Sequence, residues 1–301
     1  MALQSSGAIS ISQIKTELGS SSNSLRTLSA AAGFSTPDAM SEFYGYSNAP
    51  ANTHYYTNDG VNDYVKGAWG TYTSLHNTDW SISMWVKQNQ TSVASRQLWD
   101  FNANSTLNSG NTTNRIFLQY LGSTNRLLLR VRTNNVNFDK QISLHDNLAT
   151  TGVSSSGWTA SNRGNVNAAG FCLITVTYDA SVTTGAGAIK IYWNGTELTV
   201  TAGSANGARS AATFGSLCLG AAQHSITGGN FNGSIDEWAF YSDVLTSTEV
   251  NTLYNSGTIV SPHLLHTNNL QEVVQFGASN SVNTHVGIYG GVINGGTTTA
   301  Y

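Results

Sequence analysis

Between Trp80 and Val86 the chain reads Trp-Ser-Ile-Ser-Met-Trp-Val. In an extended backbone Trp80, Ile82, Met84 and Val86 fall on one side, and Ser81, Ser83 and Trp85 on the other. Alternation with period two is the mark of a strand with one face in a core. The pattern recurs. Leu127, Leu129 and Val131 oppose Leu128, Arg130 and Arg132, and Cys172, Ile174, Val176 and Tyr178 oppose Leu173, Thr175 and Thr177. Ile189, Ile191 and Trp193 run into Asn194-Gly195, the strongest short hairpin signal, with Leu198 on the return. A single helix interrupts the strands, with Thr246 and Glu249 as a capping box, Val250, Leu253 and Tyr254 as its face, and Gly257 as its stop. Many strands, long loops and one helix predict a mainly β, two-sheet jelly-roll sandwich over residues 54–301 rather than a closed barrel.

Composition narrows what surrounds that core. Charged residues are 10% of the 301, against about 25% in an average soluble domain. Yet 40% is hydrophobic, with 7 Trp and 13 Tyr, which a disordered chain lacks. The apolar runs are only a few residues long, so no membrane insertion is expected. A formal net charge of −3 argues against nucleic acid as a partner. Cys172 and Cys218 sit in apolar runs and read as two reduced core thiols, with a disulfide left open if their strands are neighbours.

Residues 1–47 read as a separate helical module, followed by a linker at 48–53. Ser10 and Gln13 form a capping box; Ile11, Ile14 and Leu18 mark one face, and Gly19 is the stop. A second pattern starts at Ser24, places Leu25 and Leu28 together, and stops at Gly33. A third has Thr36 as cap, Pro37 and Asp38 in the first turn, and Met40, Phe43 and Tyr44 as its stripe before Gly45. Helices of two turns are unstable alone, so the module must dock, either as a cap on the large domain or as an assembly element. The run SGAISISQIKTELG and the later EFYGY resemble a short module at the start of many tailed-phage virion proteins, with Leu18 where that pattern usually has Phe.

The larger domain resembles the laminin G-like, concanavalin A-like lectin/glucanase sandwich. The residues that carry this are, in order, the entry strand Tyr55–Val65, Trp80–Val86, Ile174–Asp179, Ile189–Gly195, Leu217–Gly220, and Phe231–Tyr241 with Leu245 and the helix to Tyr254. Residues 258–301 resemble the segment that usually precedes the entry strand. Their Gly-Gly-Val-Ile-Asn-Gly-Gly reads as a strand ending in a turn, which closes the sandwich from the C-terminal side or folds around a neighbouring copy.

Glucanases of this class carry paired carboxylates on one strand face, as glycoside hydrolysis requires. The matching strand is Ser234-Ile-Asp-Glu-Trp238, without the first Glu and with Asp236 and Glu237 adjacent. Strict alternation sends them to opposite faces, Asp236 as a buried structural acid and Glu237 toward solvent or a loop. No catalytic residue and no metal ligand set is expected. His263 and His266 lie in irregular sequence, and no HExxH, GxSxG or phosphate-binding glycine pattern exists. The resemblance implies calcium or glycan at the loop-rich rim. Calcium would fall at Asn58, Asp59 and Asp63, whose spacing reads otherwise as a turn. For glycan, Trp158 in a Gly/Ser-rich loop is a stacking platform with Asn162 and Arg163 as donors, or else folds back onto the sandwich. Arg115, Arg126, Arg130, Arg132 and Lys140 gather basic charge in one hairpin region, as a solvated strand face or as a contact for an acidic partner.

Met1–Gly7 has neither a basic nor an apolar signal-peptide region. Together with the phage-like module this leads us to expect a non-enzymatic virion structural protein, assembled in the host cytoplasm. Its expected partners are other virion proteins, copies of itself and a host-surface glycan. A tail or baseplate fibre is favoured; a head decoration protein without ligand, or a secreted glycan-active protein, are the alternatives.

Overall fold

The computed structural model describes residues 3–4, 7–44, 46, 54–73, 75–89, 95–103, 114–121, 126–133, 136–143, 170–182, 188–198, 202–205, 212–222, 229–259, 262, 270–277, 281–284 and 291–300.

Helix α1 (Ile11–Leu18) is held by the reciprocal box of Ser10 and Gln13 and ends on Gly19 in the left-handed region. Helix α2 (Leu25–Ala31) is capped by Ser24. The third helical pattern is corrected. Only a 3-10 turn, Met40–Phe43, forms. The Glu42 carboxylate, not Thr36, caps it, accepting from Ala39 N at 3.2 Å and from Ser29 Oγ at 3.1 Å. The tight turn swings Phe43 inward and brings Tyr46 back within three residues, where its carbonyl accepts from Leu3 N at 2.7 Å. Tyr44 therefore leaves the predicted stripe; it is 43% exposed and its hydroxyl donates to Gly7 O at 2.6 Å. Ile14, Leu28 and Phe43 are buried together, with Ile11, Leu18, Leu25 and Met40 packed around them. Phe34 and Tyr46 meet the Phe43 ring edge-on at 5.1 and 5.8 Å. This cluster draws only on residues 3–46.

The remaining described residues form two antiparallel sheets. Sheet A runs β10 (Thr196–Glu197), β9 (Ile189–Trp193), β8 (Cys172–Tyr178), β3 (Trp80–Gln88), β13 (Asn232–Tyr241), β1 (His54–Asp59), β14 (Leu270–Gly277), β15 (Ser281–Thr284), with β17 (Thr297–Ala300) also on β1. Sheet B runs β11 (Ala202–Ala205), β7 (Val136–Ser143), β6 (Arg126–Thr133), β5 (Arg115–Leu121), β4 (Arg96–Asn102), β12 (Thr213–Leu219), β2 (Tyr64–Thr73), β16 (Gly291–Asn294).

The predicted alternations face the space between the sheets. Trp80, Ile82, Met84 and Val86 meet Leu127, Leu129 and Val131 in one core with Ile174, Val176, Ile191 and Trp193. Each fully buried aliphatic or aromatic side chain contributes about 1.5–3 kcal/mol. Trp80 stacks on Tyr178 at 5.2 Å, and Phe101 meets Trp238 edge-on at 5.8 Å. Both cysteines are buried and free. Desolvation raises the Cys218 thiol far above its ordinary value, which leaves it unreactive.

The outer face of sheet A is covered by helix α3 (Ser247–Tyr254). Trp85, Leu173, Tyr192, Ala239 and Tyr241 look outward from the strands onto Val250 and Leu253, and Trp85 stacks on Tyr254 at 6.1 Å. The Thr246–Glu249 box forms as expected. The helix stops at Asn255 in the left-handed region, two residues before Gly257, which closes a following 3-10 turn.

The tail contributes strands to both sheets. β14, β15 and β17 join sheet A and β16 joins sheet B. The switch is the turn at Gly295-Gly296, where both residues have φ +64. A Cβ on Gly296 would lie 2.6 Å from Thr57 O and 2.5 Å from the Tyr56 ring. We expect Gly296→Ala to destabilise the sandwich by about 1–3 kcal/mol, read as a lower urea midpoint at unchanged slope.

Candidate functional site

The carboxylate strand departs from the alternation rule. On β13, Asp236 pairs with Trp85 and Ala239 with Ser83, so one extra residue is accommodated. That β-bulge centres on Glu237, at φ +44. The expectation that Glu237 meets solvent is therefore corrected: it is 1% exposed, and its Oε1 accepts from Gln275 Nε2 at 2.6 Å. Asp236 is buried, as expected. Strand period placed the two acids on opposite faces, but the bulge re-aims Glu237 beside Gln275. Gln275 lies between the core-facing Val274 and Phe276, so it faces outward, as Asp236 does beside Trp85. Neither carboxylate is open to a substrate.

The Asn58–Asp63 segment is a turn between β1 and β2. Asp59 Oδ1 accepts from Val61 N at 2.7 Å, and Asp63 Oδ2 accepts from Asp59 N at 2.8 Å. Asn232 and Asn230 tie the same turn through Asp59 O and Val61 O at 2.8 and 2.9 Å. Calcium takes 6–8 converging oxygens. Here the Asp59 carboxylate closes an Asx turn and the Asp63 carboxylate reaches back to the Asp59 N–H, so one oxygen of each serves the turn itself.

The basic hairpin divides. Arg115 is not on a solvated face: it is 6% exposed and forms a bidentate pair with the fully buried Asp100, at 3.1 and 2.9 Å. Its guanidinium lies 4.4 Å from the Phe117 ring centroid, and that of Arg130 lies 5.8 Å away. Arg126, Arg130 and Arg132 are half-buried on the outer face of sheet B. The Lys140 side chain, and Trp158, Asn162, Arg163, His263 and His266, lie outside the described residues.

Two neighbouring cavities flank the Asp179–Val182 turn that follows β8. One, of about 670 Å³, is lined by Leu75, Asn77, Asp79, Ser181, Phe240 and Ser242. Asp79 Oδ1 accepts from Ala180 N at 2.8 Å and so fixes the turn. The other, of about 350 Å³, lies between β8, β9 and β10 and the chain entering α3. Its charged members are Asp179, Lys190 and Glu197, with Lys190 Nζ 3.2 Å from Glu197 Oε2. The Ser181 hydroxyl holds the Asp179 carboxyl below its ordinary value, while the Glu197 carboxylate holds the Lys190 ammonium above its own. Both are charged through the neutral range. Burial raises the Tyr192 hydroxyl, which stays protonated. Volumes of this size suit a small ligand.

None of Lys190, Tyr192 and Glu197 was singled out from the sequence. Their only signal is local: Lys190 and Tyr192 are the outward positions between Ile189, Ile191 and Trp193. Glu197 joins them because the Asn194-Gly195 turn pairs it with Tyr192.

The family model of the concanavalin A-like lectin/glucanases superfamily matches residues 59–251, from the β1 turn into α3. Among solved structures the chain is similar to a proposed carbohydrate binding protein from Bacteroides ovatus, at 14% identity and TM-score 0.50, over 84% of this chain and 61% of that one. The chain thus spans about three-fifths of that protein's length. It is also similar to the heptameric SAP-like pentraxin of Limulus polyphemus, at 11% identity and TM-score 0.45, over 80% and 94%. A third likeness is to the CBM40 of the Ruminococcus gnavus IT-sialidase, at 15% identity and TM-score 0.39, over 59% and 83%. No curated protein sequence matches. With the family match laid on two antiparallel sheets and a helix across the outer face of one of them, this chain belongs to the concanavalin A-like lectin/glucanases superfamily.

Proposed function

We propose that this chain is a non-enzymatic structural protein of a tailed-phage virion, fastened by its N-terminal module and displaying a glycan-recognising sandwich outward, as in a tail or baseplate fibre. One observation carries the reading: the apolar side chains of residues 3–46 close on one another and form a cluster apart from the sandwich core. A unit of under about 50 residues without metal or disulfide is marginal alone, and docking on a partner supplies what it lacks. The partners are other virion proteins and further copies of the chain.

Glycan recognition is supported by membership of a lectin/glucanase superfamily and by cavities of ligand size with mixed polar and apolar linings at the Asp179–Val182 turn. The burial of Asp236 and Glu237 supports binding without hydrolysis. The protein needs no cofactor for this role.

The test is to express the full chain and a form lacking residues 1–47 during particle assembly, then blot purified particles. We expect the full chain in particles and the shortened one absent from them. Equal incorporation overturns the anchoring role. Labelling confined to heads replaces the fibre reading with head decoration.

A further inference from the structure

The smaller cavity beside α3 is built by strand register. β9 points Lys190 and Tyr192 outward, opposite Thr177 and Thr175 of β8. The hairpin turn sets Glu197 against Tyr192. The Lys190 and Glu197 side chains are 48% and 45% exposed, so their charges remain accessible to a ligand. The cavity also has apolar members, Val182, Ala188, Val244 and Leu245. One small space therefore joins carboxylate acceptors, an ammonium donor, hydroxyls and aliphatic surface.

That mixture has a matching chemistry. A pyranose presents adjacent hydroxyls, each both donor and acceptor, along its edge, and C–H groups on its faces. Adjacent hydroxyls spanning an ion pair accept from the ammonium and donate to the carboxylate in charge-assisted hydrogen bonds. Asp179 and Glu197 against Lys190 leave the lining net negative, which disfavours sialic acids, uronic acids and sulfated sugars.

We propose that this cavity binds a terminal neutral pyranose of a glycan, with vicinal hydroxyls bridging Lys190 and Glu197 and a C–H face against Val182 and Val244. The proposal rests on the reading that the sandwich recognises glycans and names where and which class. It uses the face of sheet A that carries α3.

The experiment uses the full chain on a printed array of neutral, sialylated and sulfated glycans. It is followed by calorimetric titration of the methyl glycoside of the terminal sugar of the strongest neutral hit. Glu197→Gln and Lys190→Met are titrated in parallel, with thermal melts as the folding control. Both side chains are half exposed, so we expect unchanged melts and binding about 10- to 100-fold weaker in each. Wild-type affinity in both variants overturns the site and leaves glycan recognition standing. Hits restricted to acidic glycans overturn the neutral class. An array without hits overturns the site together with the glycan reading it rests on.

Discussion

Arg115→Met is expected to destabilise the sandwich by about 3–5 kcal/mol, and most of that loss should return in the double variant Asp100→Leu/Arg115→Met. The pair spans neighbouring strands β4 and β5, with Asp100 fully buried and both of its oxygens taken by Arg115 at 3.1 and 2.9 Å. Removing the guanidinium alone leaves a fully buried carboxylate without its counter-charge, close enough to Cys218 to help push that thiol up. Such a charge costs far more than the lost pair contributed, because the paired state had already offset desolvation against attraction. Methionine keeps much of the aliphatic stem but gives up the guanidinium's contact with the Phe117 ring, a loss the double variant shares and the cycle therefore separates from the charge effect. The double variant removes both charges and fills the space with apolar atoms. Urea unfolding of the three variants and the parent closes a double-mutant cycle. If Arg115→Met alone is within about 1 kcal/mol of the parent, the value for an exposed pair, Asp100 is solvated in the folded protein and its burial does not set the cost.

That same residue shows where sequence reading ran out. Arg115, Arg130 and Arg132 read alike, as polar positions on strand faces. Local period cannot distinguish an arginine in solvent from one clamped on a buried aspartate 15 residues away in sequence. The core faces of β3, β6, β8 and β9, the Asn194-Gly195 hairpin and the two capping boxes were legible because each is set by residues within one strand, turn or helix. Glu237 was misplaced because a bulge is a decision about register with a neighbouring strand, and no glycine announced it. Tyr44 was misplaced because a four-residue 3-10 turn does not carry helical period far enough to define a face. The tail was legible as strand and turn at Gly291–Gly296. Its passage from sheet B to sheet A depends on Tyr64–Gly67 and His54–Thr57, more than 200 residues earlier. The candidate cavity has the same character. Lys190 and Glu197 are brought together by one hairpin, but the wall at Val244 and Leu245 arrives from the segment after β13. The acids and the glycine of the β1–β2 turn, by contrast, signalled a turn, and the Asp59 and Asp63 carboxylates serve it.

The largest functional effect is expected from Ile14→Asp. Ile14 has no exposed surface and packs with Leu28, Phe43 and Leu3. The new carboxylate would be surrounded by Leu3, Leu28 and Phe43, and a buried charge stripped of water costs about 3–5 kcal/mol. A core this small supplies no more than about 3–5 kcal/mol, so the module loses its fold rather than some of its stability. Phe43→Ala should act alike without charge, through a cavity worth about 3–5 kcal/mol and the loss of the edge contacts with Phe34 and Tyr46. Because the cluster ends at Tyr46, the damage should stop there. Limited proteolysis should cut within residues 11–44 in both variants, while the melting transition of the sandwich stays where it was. If the module is the proposed anchor, incorporation into particles should fall to background, whereas Glu197→Gln, at the proposed glycan cavity, should incorporate normally. A drop in the sandwich transition matching the predicted cost would mean that the first 46 residues share the core of the large domain, and the division between anchor and displayed domain would then fail on thermodynamic grounds before any particle is imaged.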